Sequence, residues 1–220
     1  MKQYFLGSVS LLVLILAAVL IMGQQQDDQQ KNRQEAANTG LKNLLALYDD
    51  ETARTTGVPV DRIRNARLGR PLTLQYINAR EVLKAATFTG IGGLLMPNTE
   101  YYFPVEADGA VIASIEVVKN KEGRWVPGQM GGFKLADGVN NIVNKILKND
   151  SAVAIDRLRM YHSGPHGVLL IGFDKGGVQY LTPVQSRPDV NLRAGQVLTE
   201  VEALERLRDI YKQVDMNLPD

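Results

Sequence analysis

The only two histidines of the chain, His162 and His166, stand four residues apart in the segment HSGPH. Two imidazoles at this spacing bind one metal ion when both lie on the same face of a helix. A glycine and a proline lie between them, which is typical of a turn. A third ligand would also be needed, and the nearest carboxylates in the sequence are Asp156 and Asp174. The pattern therefore favours histidines in a surface loop over a metal centre.

Other catalytic patterns are weaker still. Ser163 adjoins His162, but neighbours in sequence are poorly disposed for a nucleophile–base hydrogen bond, and no G-x-S-x-G segment is present. The glycines of TGIGGLL do not form a dinucleotide-binding G-x-G-x-x-G pattern. The chain has no cysteine, which excludes disulfides, thiol nucleophiles and cysteine-based metal centres. We therefore expect no cofactor. Paired carboxylates for a hydrolase cannot be selected by spacing among 24 Asp and Glu.

Basic residues suggest contacts with a partner or an anion. Between residues 52 and 72, five arginines stand against a single acidic residue, Asp61. Such a segment would attract anionic headgroups if it lay near a membrane, and the alternative is a solvated loop with local ion pairs. It lacks the interleaved aromatic residues of a single-stranded nucleic-acid groove, so no nucleic acid is expected. Trp125, the only tryptophan, is either a core anchor or an exposed recognition residue. The candidate contacts are Arg62, Arg64, Arg67, Arg70 and Trp125.

An apolar segment begins the chain. Residues 5–22, FLGSVSLLVLILAAVLIM, contain no charged side chain. As a helix they would span about 27 Å, close to the roughly 30 Å of a hydrocarbon core. Residues 1–23 are therefore predicted to be a membrane anchor, with a cleaved signal peptide as the alternative. Ile21 is bulky for the position three residues before a cleavage site at Gln24, and this favours the anchor.

The orientation of this predicted transmembrane or signal helix is not decided by charge. Lys2 and the amino terminus lie on one side, and Lys31 and Arg33 lie on the other. A very short tail before the apolar segment favours export of the residues that follow the segment, which we call the body. We therefore expect a single-pass membrane protein with an extracytoplasmic body, or a secreted or periplasmic protein if the segment is cleaved. Residues 24–32, QQQDDQQKN, are predicted to be a flexible polar linker.

Residues 33–98 are predicted to be helical and irregular. Asn78 precedes Glu81 by three residues, which indicates a capped start for a short helix ending near Ala86. Residues 52–72 are predicted to be irregular. Before them, apolar residues at helical spacing predict an amphipathic helix that ends at the acidic triplet 49–51. These apolar residues are Leu41, Leu44, Leu45 and Tyr48.

The rest of the body is predicted to form two hairpin–helix units, residues 99–150 and 151–220. In each unit, strand-like runs flank a Gly-containing turn, and an amphipathic helix follows. Gly109 matches Gly176 and Val111 matches Val178, so two repeats are a further hypothesis. The layout resembles small exported modules of the PepSY or cystatin type, although no motif residue is shared. The predicted fold class is α+β, with antiparallel β-hairpins and helices packed on one face of the sheet.

Composition adds few constraints on function. The chain has 25 basic and 24 acidic residues, so its net charge indicates no polyanionic partner. We expect a membrane-anchored, extracytoplasmic, non-catalytic binding or accessory domain, held through residues 5–22 and bound to another envelope protein. One alternative is an exported hydrolase with carboxylate or histidine chemistry. Another is a subunit of an envelope complex.

Overall fold

The computed structural model describes the backbone of residues 5–164 and 167–215, and the side chains of residue 24 and of residues 27–164 and 167–213. These residues form a mixed α+β fold with one large sheet. The α-helices are α1 (Phe5–Leu47), α2 (Asp50–Thr56), α3 (Val60–Arg64), α4 (Ala79–Lys84), α5 (Phe133–Asn149) and α6 (Glu200–Asp215). The strands are β1 (Arg67–Leu68), β2 (Leu72–Ile77), β3 (Leu95–Ala107), β4 (Ala110–Lys119), β5 (Trp125–Gly131), β6 (Arg159–His162), β7 (Leu169–Lys175), β8 (Val178–Pro183) and β9 (Leu198–Thr199).

Helix α1 continues through residues 24–32, which the sequence predicts to be a flexible linker. This segment contains neither proline nor glycine, and glutamine and lysine are good helix formers. The predicted amphipathic stripe is confirmed at its end, where Leu44 and Tyr48 are buried and the helix stops at Leu47. The side chains of residues 5–22, the predicted membrane segment, lie outside the described residues. Among those that are described, no helix is long and apolar enough to cross a membrane.

The sheet has the strand order β5-β4-β3-β2-β6-β7-β8-β9, with β1 paired to β3. Strand β2 comes from the region 33–98, which was expected to be helical and irregular. It pairs antiparallel with β3 and parallel with β6, so it joins the two predicted hairpin units into one sheet. Its Leu72 and Leu74 alternate with polar residues and are buried on the α5 face, whereas Ile77, after an irregularity in the register with β3, is buried in the core of α6.

Helices pack on both faces of the sheet, so the prediction that they lie on one face is wrong. In β7, Leu170 packs in a core with α6 and Val82 of α4, whereas Ile171 packs in a second core with α5. Successive side chains of a strand point to opposite faces. The segment VLLIGF is apolar without alternation, which is typical of a strand buried on both faces.

A third core lies where α1 crosses β3 and β4, and it includes Ala37, Phe103 and Ile115. The strand register places Phe103 of β3 on the opposite face from Tyr102, which packs in the core of α5. The predicted helix stripes are also buried, at Val139, Ile142, Val143 and Ile146 in α5, and at Leu204, Leu207 and Tyr211 in α6. Val201 is the exception, because it is 40% exposed. The core of α5 therefore combines residues of both predicted units, whereas α6 packs on the opposite face of the same sheet.

Candidate functional site

A cleft of about 270 Å³ opens between the C-terminal half of α5 and strands β7 and β8. The stripe of α5 supplies one wall, and the sheet supplies the other, where the rings of Phe173 and Tyr180 stack with centroids 5.7 Å apart. Small-molecule and peptide sites are typically such concave, mainly apolar surfaces with a few polar groups. The apolar lining residues are Ile142, Ile146, Phe173, Tyr180 and Val197.

Polar side chains also line this cleft, among them Thr182, Lys175, Asp150 and Lys145. Thr182 is 1% exposed, and its hydroxyl has no hydrogen-bond partner in the described part of the structure. The ammonium of Lys175 lies 3.0 Å from Asp150 Oδ2, and this contact lowers the pKa of Asp150. Lys145 Nζ donates to the carbonyl of Gly195 at 3.1 Å. The cleft is therefore lined by two lysines and one carboxylate, and by a buried hydroxyl without a partner in the described part of the structure.

The cleft adjoins the β9 edge of the sheet. Strand β9 pairs with only Tyr180 and Leu181 of the six-residue strand β8. At this edge Val178 is 46% exposed and Val197 is 54% exposed. A strand edge with exposed apolar side chains is a template for pairing with another chain. The cleft and the edge together form the apolar surface that a binding module would need.

A second group of polar residues lies on four neighbouring strands, β4, β3, β2 and β6. Tyr76 Oη donates to Glu100 Oε2 at 2.8 Å. The ring of Tyr76 meets the ring of His162 edge to face, with centroids 5.4 Å apart. Glu116 stands opposite Tyr102 on β4, so it is diagonal to Glu100 across the β3–β4 pair. We call Tyr76, Glu100, Glu116 and His162 the carboxylate cluster.

Partial burial governs the charges of this cluster. Burial raises the pKa of Glu116, and the nearby charge of Glu100 raises it further. Burial and the hydrogen bond to Glu100 raise the pKa of Tyr76. Burial lowers the pKa of His162. A carboxyl whose pKa is raised, beside a second carboxyl that accepts a hydrogen bond from tyrosine, is an arrangement that can serve general acid–base chemistry. The described residues contain no group of three or more potential metal ligands among His, Asp and Glu.

His162 differs from its prediction as a surface loop residue. It is the last residue of β6, it is half-buried against Tyr76, and its Nδ1 accepts a hydrogen bond from the Gly164 N–H at 3.2 Å. His166 lies outside the described residues. Ser163 is fully buried, and its hydroxyl accepts a hydrogen bond from the Val168 N–H at 3.0 Å. Ser163 is therefore a structural residue of the turn.

The candidate arginines do not converge on one surface feature. Arg70 is exposed and lines a smaller cavity of about 210 Å³ beside the N-terminal half of α5. The other three have an acidic partner within 4 Å, and exposed ion pairs of this kind contribute only about 0–1 kcal/mol. The pairs are Arg62–Asp108 at 3.4 Å, Arg64–Asp61 at 3.7 Å and Arg67–Glu106 at 3.8 Å.

The side chain of Trp125 connects the edge strand β5 to helix α1. Its Nε1 donates to Gln29 Oε1 at 2.7 Å, and its ring meets Tyr101 edge to face at 5.4 Å. The guanidinium of Arg33 lies 4.1 Å from the centre of the Tyr101 ring. Lys119 Nζ lies 4.9 Å from the centre of the Trp125 ring. The tryptophan is half-buried, so it combines features of both predicted roles.

Sequence reasoning missed both the cleft and the carboxylate cluster. Their members are spread over α5 and over strands far apart in the chain, so no local spacing marks them. One signal was available, since Glu116 is the only charged residue in the apolar run AVIASIEVV. A charge inside a buried strand needs a compensating partner. The neighbour that further raises its pKa, Glu100, has the same charge and is identified only from the pairing of β3 with β4.

No protein-family model, curated protein or solved structure matches the chain.

Proposed function

We propose that this protein is a membrane-anchored, extracytoplasmic, non-catalytic binding or accessory domain, and that its partner is another envelope protein. The observation that supports the proposal is the apolar cleft beside the exposed sheet edge at Val178 and Val197. A cleft and an open edge in one place are what an extended peptide needs, since the edge supplies backbone hydrogen bonds and the cleft accepts a side chain.

The occupant proposed for the cleft is an extended segment of the partner that carries a bulky apolar side chain and a nearby carboxylate. The apolar side chain would contact Phe173 and Ile146, and its neighbours would pair with the free part of β8. The carboxylate complements Lys145 and Lys175, which together exceed the single charge of Asp150. The Thr182 hydroxyl would gain a hydrogen-bond partner.

The anchor in this proposal is the apolar segment 5–22, with the body on the exported side of the membrane. Support for a fixed orientation of the body comes from the described part of α1. Gly40 packs so closely on the sheet that an added Cβ would lie 2.7 Å from Ile115 Cγ2. Because this part of the helix is docked along its length, the body would stay close to the membrane surface.

Site-specific photo-crosslinking tests the binding proposal. A photoreactive amino acid at Val197, in the full chain in its native membranes, should give one discrete adduct with an envelope protein. The same residue at Val201, which is 40% exposed but outside the cleft, is the matched control and should give none. A second substitution, Lys145→Glu, should reduce the adduct at position 197 because it repels the proposed carboxylate.

Equal adduct yields at the two positions, or a yield insensitive to Lys145→Glu, would contradict the cleft as the binding site. The adduct yield also distinguishes a transient partner from a permanent complex. A transient partner gives partial crosslinking. Nearly complete crosslinking with fixed stoichiometry would make the protein a permanent subunit of an envelope complex.

A second candidate function is an exported hydrolase, and the carboxylate cluster favours it. The raised pKa of Glu116 suits a general acid, and the neighbouring Glu100 would be the general base. If the cluster is catalytic, Glu116→Gln should abolish hydrolysis of a responsive substrate in a glycoside and ester panel, with the fold intact. Unchanged turnover in this variant would exclude the cluster as the catalytic centre.

A further inference from the structure

The turn between β4 and β5 carries a concentration of basic side chains next to α1. Residues 119–125 read KNKEGRW, so three basic residues stand against one acidic residue. Two backbone hydrogen bonds close the turn: the Asn120 N–H donates to the Arg124 carbonyl and the Gly123 N–H donates to the Asn120 carbonyl, both at 2.9 Å. Lys121 and Glu122 are exposed at its tip. We call residues 119–124 the basic turn.

The direction of the basic turn follows from the packing of α1. Gly40 of α1 lies against Ile115, in the middle of β4. Eleven positions earlier in the helix, Gln29 bonds to Trp125, which is paired with Lys119 at the end of β4. Helix α1 therefore runs antiparallel to β4. Moving along α1 towards its N-terminus is the same direction as moving along β4 towards the basic turn.

The position of the basic turn along the axis of α1 can be estimated from these contacts. Gly23, which follows the apolar segment, precedes Gln29 by six residues, or about 9 Å of helix. Glu122, at the tip of the turn, is three residues from Trp125. It therefore projects about 7–10 Å past Trp125, away from the paired part of β4 and β5. The tip of the basic turn therefore reaches the level of α1 at which the apolar segment ends.

We propose that the basic turn binds anionic phospholipid headgroups through Lys119, Lys121 and Arg124, and so holds the body against the membrane surface. The inference rests on the proposed anchor at residues 5–22. Basic side chains next to a membrane-inserted segment are attracted by the negative surface potential of anionic lipids. The attraction falls off within a Debye length, about 8 Å at physiological salt. The distance between the basic turn and the membrane surface therefore determines whether the headgroups attract it.

Acidic side chains at the same level do not cancel this charge. Glu122 lies 3.9 Å from Arg124 in an exposed, weak ion pair. Asp27 is two residues from Gln29, so it points about 200° around α1, away from the turn. Asp28 is one residue from Gln29 and points about 100° away. Within the basic turn, two positive charges remain after Glu122 is subtracted.

The absence of cysteine from the chain makes a clean experiment possible. Glu122→Cys places a single thiol at the tip of the basic turn, and Glu51→Cys places one near the opposite end of α1 as the matched control. Each full-length variant is labelled with a fluorophore and reconstituted into vesicles that carry a headgroup-attached quencher. The vesicles contain phosphatidylcholine alone or with phosphatidylglycerol. Flotation of the vesicles tests the anchor separately.

The expected result is quenching at position 122 that rises at least about twofold with phosphatidylglycerol. The increase should disappear at about 1 M salt, where the Debye length is about 3 Å. Adding Lys121→Glu and Arg124→Glu should remove the lipid dependence while the chain still floats. Unchanged emission of Trp125 would show that the turn remains folded. Position 51 should not respond to lipid composition.

Quenching at position 122 that is equal in both lipid mixtures, or equal to that at position 51, would overturn the headgroup contact even if the chain floats. A chain that does not float would instead contradict the anchor, and with it this inference. The two failures are therefore distinguishable in one set of samples.

Discussion

Thr182 is a buried polar group whose hydrogen-bonding capacity is unused in the described part of the structure. An unsatisfied buried hydroxyl costs about 1–3 kcal/mol, because it loses water without gaining a partner. Valine has the same shape without the hydroxyl. We therefore expect Thr182→Val to raise the free energy of unfolding by about 1 kcal/mol, measured by urea denaturation. The crosslink at Val197 should weaken if the hydroxyl contacts the partner. A destabilised Thr182→Val variant would show that the hydroxyl is satisfied, for example by a buried water.

The raised pKa of Glu116 predicts how the stability of the protein changes with pH. Its pKa is raised in the folded state by burial and by Glu100, above the reference value of 4.5. A raised pKa means that the stability present below pH 4.5 is lost as the pH rises through the folded-state pKa. Glu116→Gln removes the ionisation, so the variant should be more stable than the wild type near pH 8. The two proteins should differ less near pH 4, where Glu116 is protonated.

Urea denaturation at the two pH values checks this prediction, with Glu122→Gln as an exposed control. The control should show no such pH-dependent difference, because Glu122 lies at the tip of the basic turn. A stability difference for Glu116→Gln that does not depend on pH would mean that the carboxylate is well solvated in the native state.

At the scale of elements, the contact between α1 and the sheet depends on Gly40. Alanine is the better helix former, so this glycine costs about 1 kcal/mol of helix propensity. A Cβ at this position would lie 2.7 Å from Ile115 Cγ2 and 3.1 Å from Pro127 Cβ, which leaves no room for a side chain. The close approach of helix and sheet therefore requires glycine here.

We expect Gly40→Ala to destabilise the body by about 1–3 kcal/mol, since overpacking at a close contact exceeds the gain in helix propensity. Trp125 should report the change, because its fluorescence depends on its contacts with α1. The exposed control Asn38→Ala, two residues away on the same helix, should be neutral or slightly stabilising. A stabilised Gly40→Ala variant would show that α1 can move away from β4 at little cost.

At the scale of the whole molecule, one sheet connects cores on both faces. Leu204 of α6 is fully buried on one face, and Val139 of α5 is 3% exposed in the core of the other face. An unpaired charge in either core costs several kcal/mol, which is a large part of the stability of a domain. The strands between the cores are shared, so loss of one core should remove the support of the other.

We therefore expect Leu204→Asp to unfold the entire body, with loss of the near-ultraviolet circular dichroism of tyrosines on both faces. Val201→Asp, on the same helix but 40% exposed, is the matched control and should remain folded. A Leu204→Asp variant that keeps native signals from Trp125 would show that the β3–β5 part and the β7–β8 part fold independently.

Features that depend only on neighbouring residues could be predicted from the amino-acid sequence. Thr199 and Glu202 have the T-x-x-E spacing of a capping box and form one, since Glu202 Oε2 accepts from the Thr199 N–H at 2.8 Å and the Glu202 N–H donates to Thr199 Oγ1 at 3.3 Å. Asn78 likewise caps α4 by accepting from the Arg80 N–H. The buried stripe of α5 was also predictable, because helix periodicity and capping require only contacts a few residues apart.

Which elements contact one another could not be predicted from local patterns and is known from the folded structure. Thr73 of β2 pairs with Arg159 of β6, 86 positions later in the chain, and no local pattern specifies such a parallel pairing. The continuous apolar run of β7 does not say which face receives α5 and which receives α6. The cleft exists because α5, β7 and β8 meet, and the carboxylate cluster exists because four strands align. Both candidate sites thus depend on register and on packing between distant segments, which the order of residues in any one segment leaves open.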